Sequence, residues 1–240
     1  MAFDVKKELK EFYQPKTKPS IVTLPKANYL AVRGTGDPNQ EKSAYKESIE
    51  LLYGVAYTLK MSYKTDYKIE GFYDYVVPPL EGFWWQEGLR GVDYGHKEHF
   101  SFISIIRLPD FVTKTDVDWA IKTAGRKKKR DFSKVEWMTY DEGLCVQCLH
   151  IGPYDEEPKT VALMHQFLEE EGYELDITDE RMHHEIYLSD VRKTAPENLK
   201  TVLRHPIKVK KYILVFDSLP HLWYACYIKL SVQIGLIKEK

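Results

Sequence analysis

At 240 residues, 43% apolar and 30% charged, the chain is long enough to bury a core as one large domain or two small ones. Lys and Arg number 35 against 36 Asp and Glu, which leaves no long-range field to recruit nucleic acid or an anionic membrane. Three cysteines exclude a disulfide framework, and the start Met-Ala-Phe-Asp-Val-Lys-Lys lacks the plan of a signal peptide, so a cytoplasmic protein is expected.

In chain order, apolar spacing over Phe3, Val5, Leu9 and Phe12 predicts a short helix to Tyr13, and Pro15 and Pro19 then enforce extended chain. Strands are expected at 21–24 and 28–33, followed by a Gly34–Asn39 turn whose glycines lack the GK[ST] of a phosphate loop. A long helix is predicted over 41–63. Residues 73–77 and 80–85 read as extended and aromatic, separated by Pro78-Pro79, and 99–107 as a strand stopped by Pro109. A second helix is expected over 115–127 with Thr115 as N-cap, the basic run Arg126–Arg130 forming its solvated end. Strands at 135–140 and 144–151, a third helix at 157–171 closed by Gly172, and strands at 183–188 and 202–206 complete the pattern. Residues 211–240 read as an apolar C-terminal tail whose runs are too short and too interrupted to span a membrane.

The run His183-His184-Glu185-Ile186-Tyr187-Leu188 places a carboxylate inside a strand-like pattern. Alternation puts His183, Glu185 and Tyr187 on one face and His184, Ile186 and Leu188 on the other. A Glu among aromatics on a sheet face is either a solvated charge or a group held for a cationic ligand or acid–base work. No GxSxG elbow or HExxH spacing competes with it, and adjacent strand histidines face opposite ways, so no metal site is expected. Cys145 and Cys148 likewise face opposite sides of one strand, which argues against zinc or redox work. An aromatic excess of 17 Tyr, 10 Phe and 5 Trp favours a flat-walled ligand site.

Element order repeats twofold, over about 20–110 and 134–207: strand, Gly-rich turn, helix, extended segment with Glu beside aromatics, strand. Leu80-Glu81-Gly82-Phe83-Trp84 echoes His184-Glu185-Ile186-Tyr187-Leu188. The expected class is α+β: two tandem strand–helix–strand–strand modules sharing one antiparallel sheet, with helices on one face and a ligand groove on the other.

Several segments together resemble the GyrI-like small-molecule-binding proteins, and more narrowly the stand-alone bacterial branch with the cyclopropanoid cyclopropyl hydrolases. They are Tyr13–Lys16, Gly34–Asn39, Leu80–Trp85, His150–Thr160 and His183–Asp190. The resemblance implies a single domain over 1–210 with an acidic residue in an aromatic groove. It implies an acidic role for Glu185 in the opening of a strained ring by water and stacking of Trp84, Trp85 and Trp137 on the substrate; in the enzyme reading built on it, Glu185 activates the water and Tyr187 donates to the oxygen gaining charge. Tyr140 and Tyr73 are further substrate-binding candidates. The reading is a cofactor-independent hydrolase for a small aromatic ligand. The alternatives are a non-catalytic module that sequesters cationic or aromatic drugs, and a protein-interaction inhibitor of a DNA-processing enzyme. No helix-turn-helix precedes the domain, and no direct nucleic-acid contact is expected.

Overall fold

The computed structural model describes residues 2–89 and 93–210, and the expected tail at 211–240 lies outside them. The N-terminal helix is two single turns, α1 (Val5–Glu8) and α2 (Lys10–Tyr13), after which the prolines lead into β1 (Ser20–Leu24) and β2 (Ala27–Thr35). Helix α3 (Ala44–Lys60) begins at Ser43, whose hydroxyl accepts from the Lys46 amide. Strands β3 (Leu80–Trp85) and β4 (Ser101–Arg107) follow, with 73–77 contributing only a bridge between Phe3 and Tyr75. Helix α4 (Lys114–Lys128) is capped two residues earlier than its Thr115 signal suggested. Thr113 and Asp116 form a reciprocal capping box that outcompetes Thr115. The remaining elements are β5 (Glu136–Tyr140), β6 (Gly143–Ile151), α5 (Glu157–Glu171), β7 (Tyr173–Leu175), β8 (His183–Tyr187) and β9 (Lys200–Val209). Gly172 ends α5 in a left-handed conformation at φ 77°, where a side chain would be strained.

Among the described residues all strand pairings are antiparallel, in the order β1-β6-β9-β8-β3-β4-β2-β5, with β7 on β9. The two strand–helix–strand–strand modules are therefore β2-α3-β3-β4 and β6-α5-β8-β9, joined where β3 pairs with β8. The outer strands close the sheet on itself. Leu24 faces Gly143 and Ala27 faces Tyr140 in one uninterrupted register. Since β1 runs into β2 and β5 into β6, the two ends of the strand order meet in a single ribbon.

Residues directly opposite across a pair share a face. Gly82 faces Glu185 and Trp84 faces His183, so Leu80, Gly82, Trp84, His183, Glu185 and Tyr187 line one side. On that same side Leu30, Leu80 and Ile106 pack against Leu51, Leu52 and Val55 of α3 and Val117 and Ala120 of α4. Val146, Cys148 and Leu203 pack against Met164 and Leu168 of α5. The α+β class with its helices on one side stands, but the groove does not occupy the opposite face. Closure of the sheet fills that face with Tyr29, Ala31, Phe83, Ile103 and Ile105, and the groove opens between α3 and α5 on the helix side.

The register also separates the echoed glutamates. Glu81 pairs with Ile186, not Glu185. It points to the filled face, where it accepts from the Tyr13 hydroxyl at 2.8 Å and meets His184 Nε2 at 3.1 Å. Cys145 and Cys148 are free, buried and on opposite faces, packing in different clusters.

Candidate functional site

The floor of the groove is built by alternate residues of β8. Glu185 sits between His183 and Tyr187 on the same face, and each neighbour reaches one of its oxygens: His183 Nε2 meets Oε1 at 2.9 Å, and the Tyr187 hydroxyl donates to Oε2 at 2.7 Å. The Tyr187 oxygen in turn accepts from Trp84 Nε1 at 2.8 Å. This hydroxyl is thus fully used within the protein, as a group that holds Glu185 and is itself held by Trp84. Burial first, then the Glu185 charge, raise the Tyr187 hydroxyl well above the ordinary phenol range.

A second carboxyl meets the first. Glu157 opens α5, and docking of that helix buries it completely. Tyr94 donates to its Oε2 at 2.9 Å, while Oε1 is buried without a hydrogen-bond partner. Carboxyl oxygens of Glu157 and Glu185 and a ring nitrogen of His183 lie within 4.8 Å of one another. Burial, then the charge of Glu185, push Glu157 well above the usual carboxylate range. The two acids therefore form a pair in which burial and the neighbouring charge favour the protonated form of Glu157. Both Glu185 oxygens and both His183 nitrogens are engaged in hydrogen-bonding contacts. Among the described residues, the exposed His96, Glu98 and His99 also bring donor atoms within 4.8 Å of one another.

The walls are aromatic. The groove measures about 1320 Å³ and is lined by Tyr45, Ile49 and Tyr53 from α3, by Tyr94 and Phe100, and by Tyr154 before α5. That volume accommodates a flat polycyclic ligand. Tyr45 lies 5.1 Å from the Trp84 ring, and Tyr154 stands edge-on to Tyr187 at 5.8 Å. Burial pushes the Tyr45, Tyr94 and Tyr154 hydroxyls up, so all remain neutral donors.

Of the residues singled out from sequence, the structure brings Glu185, Tyr187 and Trp84 together. Trp84 is only 4% exposed, packed by Phe100 and Phe102, so it supports the floor more than it offers a stacking face. Trp85 points to the filled face beside Phe83 and Tyr140, because strand alternation sends neighbours opposite ways. Tyr140 packs on Phe83 at 4.7 Å. Trp137 lies on β5 with its Nε1 bonded to Thr139. Tyr73 packs on Phe111 at 4.7 Å. None of these four lines the groove. Sequence reasoning missed Glu157, Tyr45, Tyr94 and Tyr154. Glu157 and Tyr154 lie within the His150–Thr160 segment already singled out, and Tyr45 falls on the expected inner face of α3.

A family profile described as GyrI-like small molecule binding domain matches residues 17–208. An uncharacterized conserved protein from Listeria innocua is 48% identical at a TM-score of 0.81, the match covering 86% of this chain and 100% of that one. Two structures described as hydrolases from Listeria innocua are similar: one at 45% identity and TM-score 0.78, covering 86% and 100% of the two chains, and one at 46% and 0.80, covering 87% and 100%. Among curated proteins, no relative matches. No helix among the described residues is long and apolar enough to cross a membrane.

Proposed function

This chain belongs to the GyrI-like small-molecule-binding family, and from that premise we propose that it hydrolyses a flat aromatic compound bearing a strained, electrophilic ring. The observation that carries the reading is the carboxyl pair: Glu185, fixed by His183 and Tyr187, beside the buried Glu157, whose proton affinity that burial raises, at the bottom of an aromatic groove. Carboxyls driven apart in proton affinity divide into a base and an acid. Two relatives described as hydrolases support the assignment.

The ligand ring lies among Tyr45, Tyr53, Tyr94 and Tyr154. Glu185 takes a proton from a water whose oxygen bonds to the electrophilic ring carbon. The carbon–carbon bond of the cyclopropane breaks, its electron pair running to a conjugated oxygen, and Glu157 gives that oxygen its proton. The product leaves neutral, and the pair keeps one proton, now on Glu185. Each positioned proton transfer contributes roughly 10²- to 10⁴-fold. This supports a cofactor-independent detoxifying hydrolase, with the rest of the site serving binding.

The same acidic floor under neutral tyrosines favours a second reading, sequestration of a cationic aromatic drug without turnover. Incubating the purified protein with a cyclopropane-bearing DNA-alkylating agent and following water addition by mass spectrometry separates them. Hydrolysis that disappears in Glu185→Gln while the ligand still binds is the expected result. Binding without any hydrated product leaves sequestration in its place.

A further inference from the structure

Behind Glu185 the structure holds three imidazoles in series. His183 Nδ1 meets His205 Nε2 at 2.6 Å, and His205 Nδ1 meets His165 Nε2 at 3.4 Å. His183 is 2% exposed and His205 3%, whereas His165, on α5, is partly exposed. With the contact from His183 Nε2 to Glu185 Oε1 at 2.9 Å, an unbroken line of titratable nitrogens runs from the flank of α5 to the floor of the groove. We propose that His165, His205 and His183 form a proton relay between solvent and Glu185.

The relay rests on the acid–base reading of the carboxyl pair, and it answers a need of that chemistry. The pair works only when it carries one proton: with none there is no acid, with two no base. A flat ring seated in the groove shields both carboxyls from water on their open side. The histidines reach Glu185 from behind, so the proton count is set without passing the ligand. Each hop balances. A proton taken up by His165 releases the one on its Nε2 to His205 Nδ1. His205 Nε2 passes its proton to His183 Nδ1, and His183 Nε2 passes its own to Glu185 Oε1. The reverse sequence discharges Glu185 to solvent. Burial, then the neighbouring imidazoles, lower His205 well below the ordinary histidine range, and burial and His183 lower His165 as well. Both rest neutral, each with one donor and one acceptor nitrogen, as hopping requires.

The test uses the full chain with ¹⁵N-labelled histidine. Solvent exchange of the His183 and His205 ring N–H protons is read by NMR with the groove filled by a non-hydrolysable aromatic ligand. In His165→Ala, which removes a partly exposed side chain, exchange slows about tenfold and free imidazole restores it. Because the pair keeps its one proton through each turnover, kcat at constant pH is unchanged, while recovery of activity after a pH jump with the groove filled slows by a similar factor. His205→Gln, which keeps a hydrogen-bonding side chain but cannot hop protons, slows exchange without rescue. Unchanged exchange in both folded variants overturns the relay. Slowed exchange in a protein that turns over no substrate leaves the relay standing and removes the hydrolytic reading instead.

Discussion

Glu185 takes its hydrogen bonds from the residues two before and two after it, so a single extended strand assembles carboxylate, hydroxyl and imidazole without help from a loop. That much was legible: the period of two in His183–Leu188 placed these three side chains on one face. Its partner Glu157 was not, because a glutamate in the first turn of a helix ordinarily serves the helix dipole in solvent, and only docking of α5 turns it inward. Glu185→Gln keeps the size of the side chain and removes the carboxylate that the proposed hydrolysis uses as its base. Turnover should fall by about 10²- to 10⁴-fold with ligand affinity retained, read by single-turnover kinetics beside a binding titration. Tyr187→Phe leaves Trp84 Nε1 without its acceptor and Glu185 Oε2 without its donor. Each orphaned buried group costs roughly 1–3 kcal/mol, so the urea midpoint should drop even without ligand. An unchanged midpoint would mean that water replaces the hydroxyl and that Tyr187 does not hold the floor.

At the scale of elements, β3 and β8 form the seam, and Gly82 explains how closely the groups across it approach. A Cβ built at Gly82 would lie 2.9 Å from Trp84 Nε1 and 3.3 Å from the Tyr187 hydroxyl. An indole locked between Tyr45 and Phe102 has little room to retreat. Gly82→Ala should therefore push Trp84 off Tyr187 and destabilise the fold by about 1–3 kcal/mol, the usual cost of overpacking. A shifted tryptophan emission maximum together with a lower urea midpoint is the expected pair of readings. Gly82 is also where the sequence misleads. The echo sets Glu81 against Glu185, yet the register puts the two on opposite faces, because in a sheet one residue is the whole difference between faces. The helices were readable from spacing, and α5 was correct at both ends. The choice between Trp84 and Trp85, like the fate of Trp137, Tyr140 and Tyr73, depends on strand register and sheet closure, which local pattern does not carry.

For the whole molecule, closure of the sheet creates an interior that must be filled, and the chain fills part of it with charge. His184 Nδ1 meets Glu142 Oε1 at 2.8 Å, and Arg204 Nη1 donates to Glu142 Oε2 at 3.0 Å. Arg204 Nη2 also donates to the Phe12 carbonyl at 2.8 Å. The cluster thus fastens the N-terminal segment, the β5–β6 connection and strands β8 and β9 to one another. Burial opposes the charge on Glu142, but His184 and Arg204 outweigh it and hold the carboxyl down at about 2. Burial likewise opposes charge on His184, yet Glu142 and Glu81 raise it above the ordinary imidazole value. The signs then separate the two groups. Glu142, lowered on folding, stabilises the protein fully above the ordinary carboxylate value of 4.5 and loses that contribution as pH falls toward about 2. His184, raised on folding, contributes below 6.5 and fades as pH climbs through its folded value. Urea midpoints should accordingly decline on the acid side between these limits. Glu142→Gln should flatten that acid limb while costing about 3–5 kcal/mol at neutral pH, because Arg204 is left as an uncompensated buried charge. An acid limb of unchanged slope in the variant would place the acid sensitivity elsewhere in the molecule.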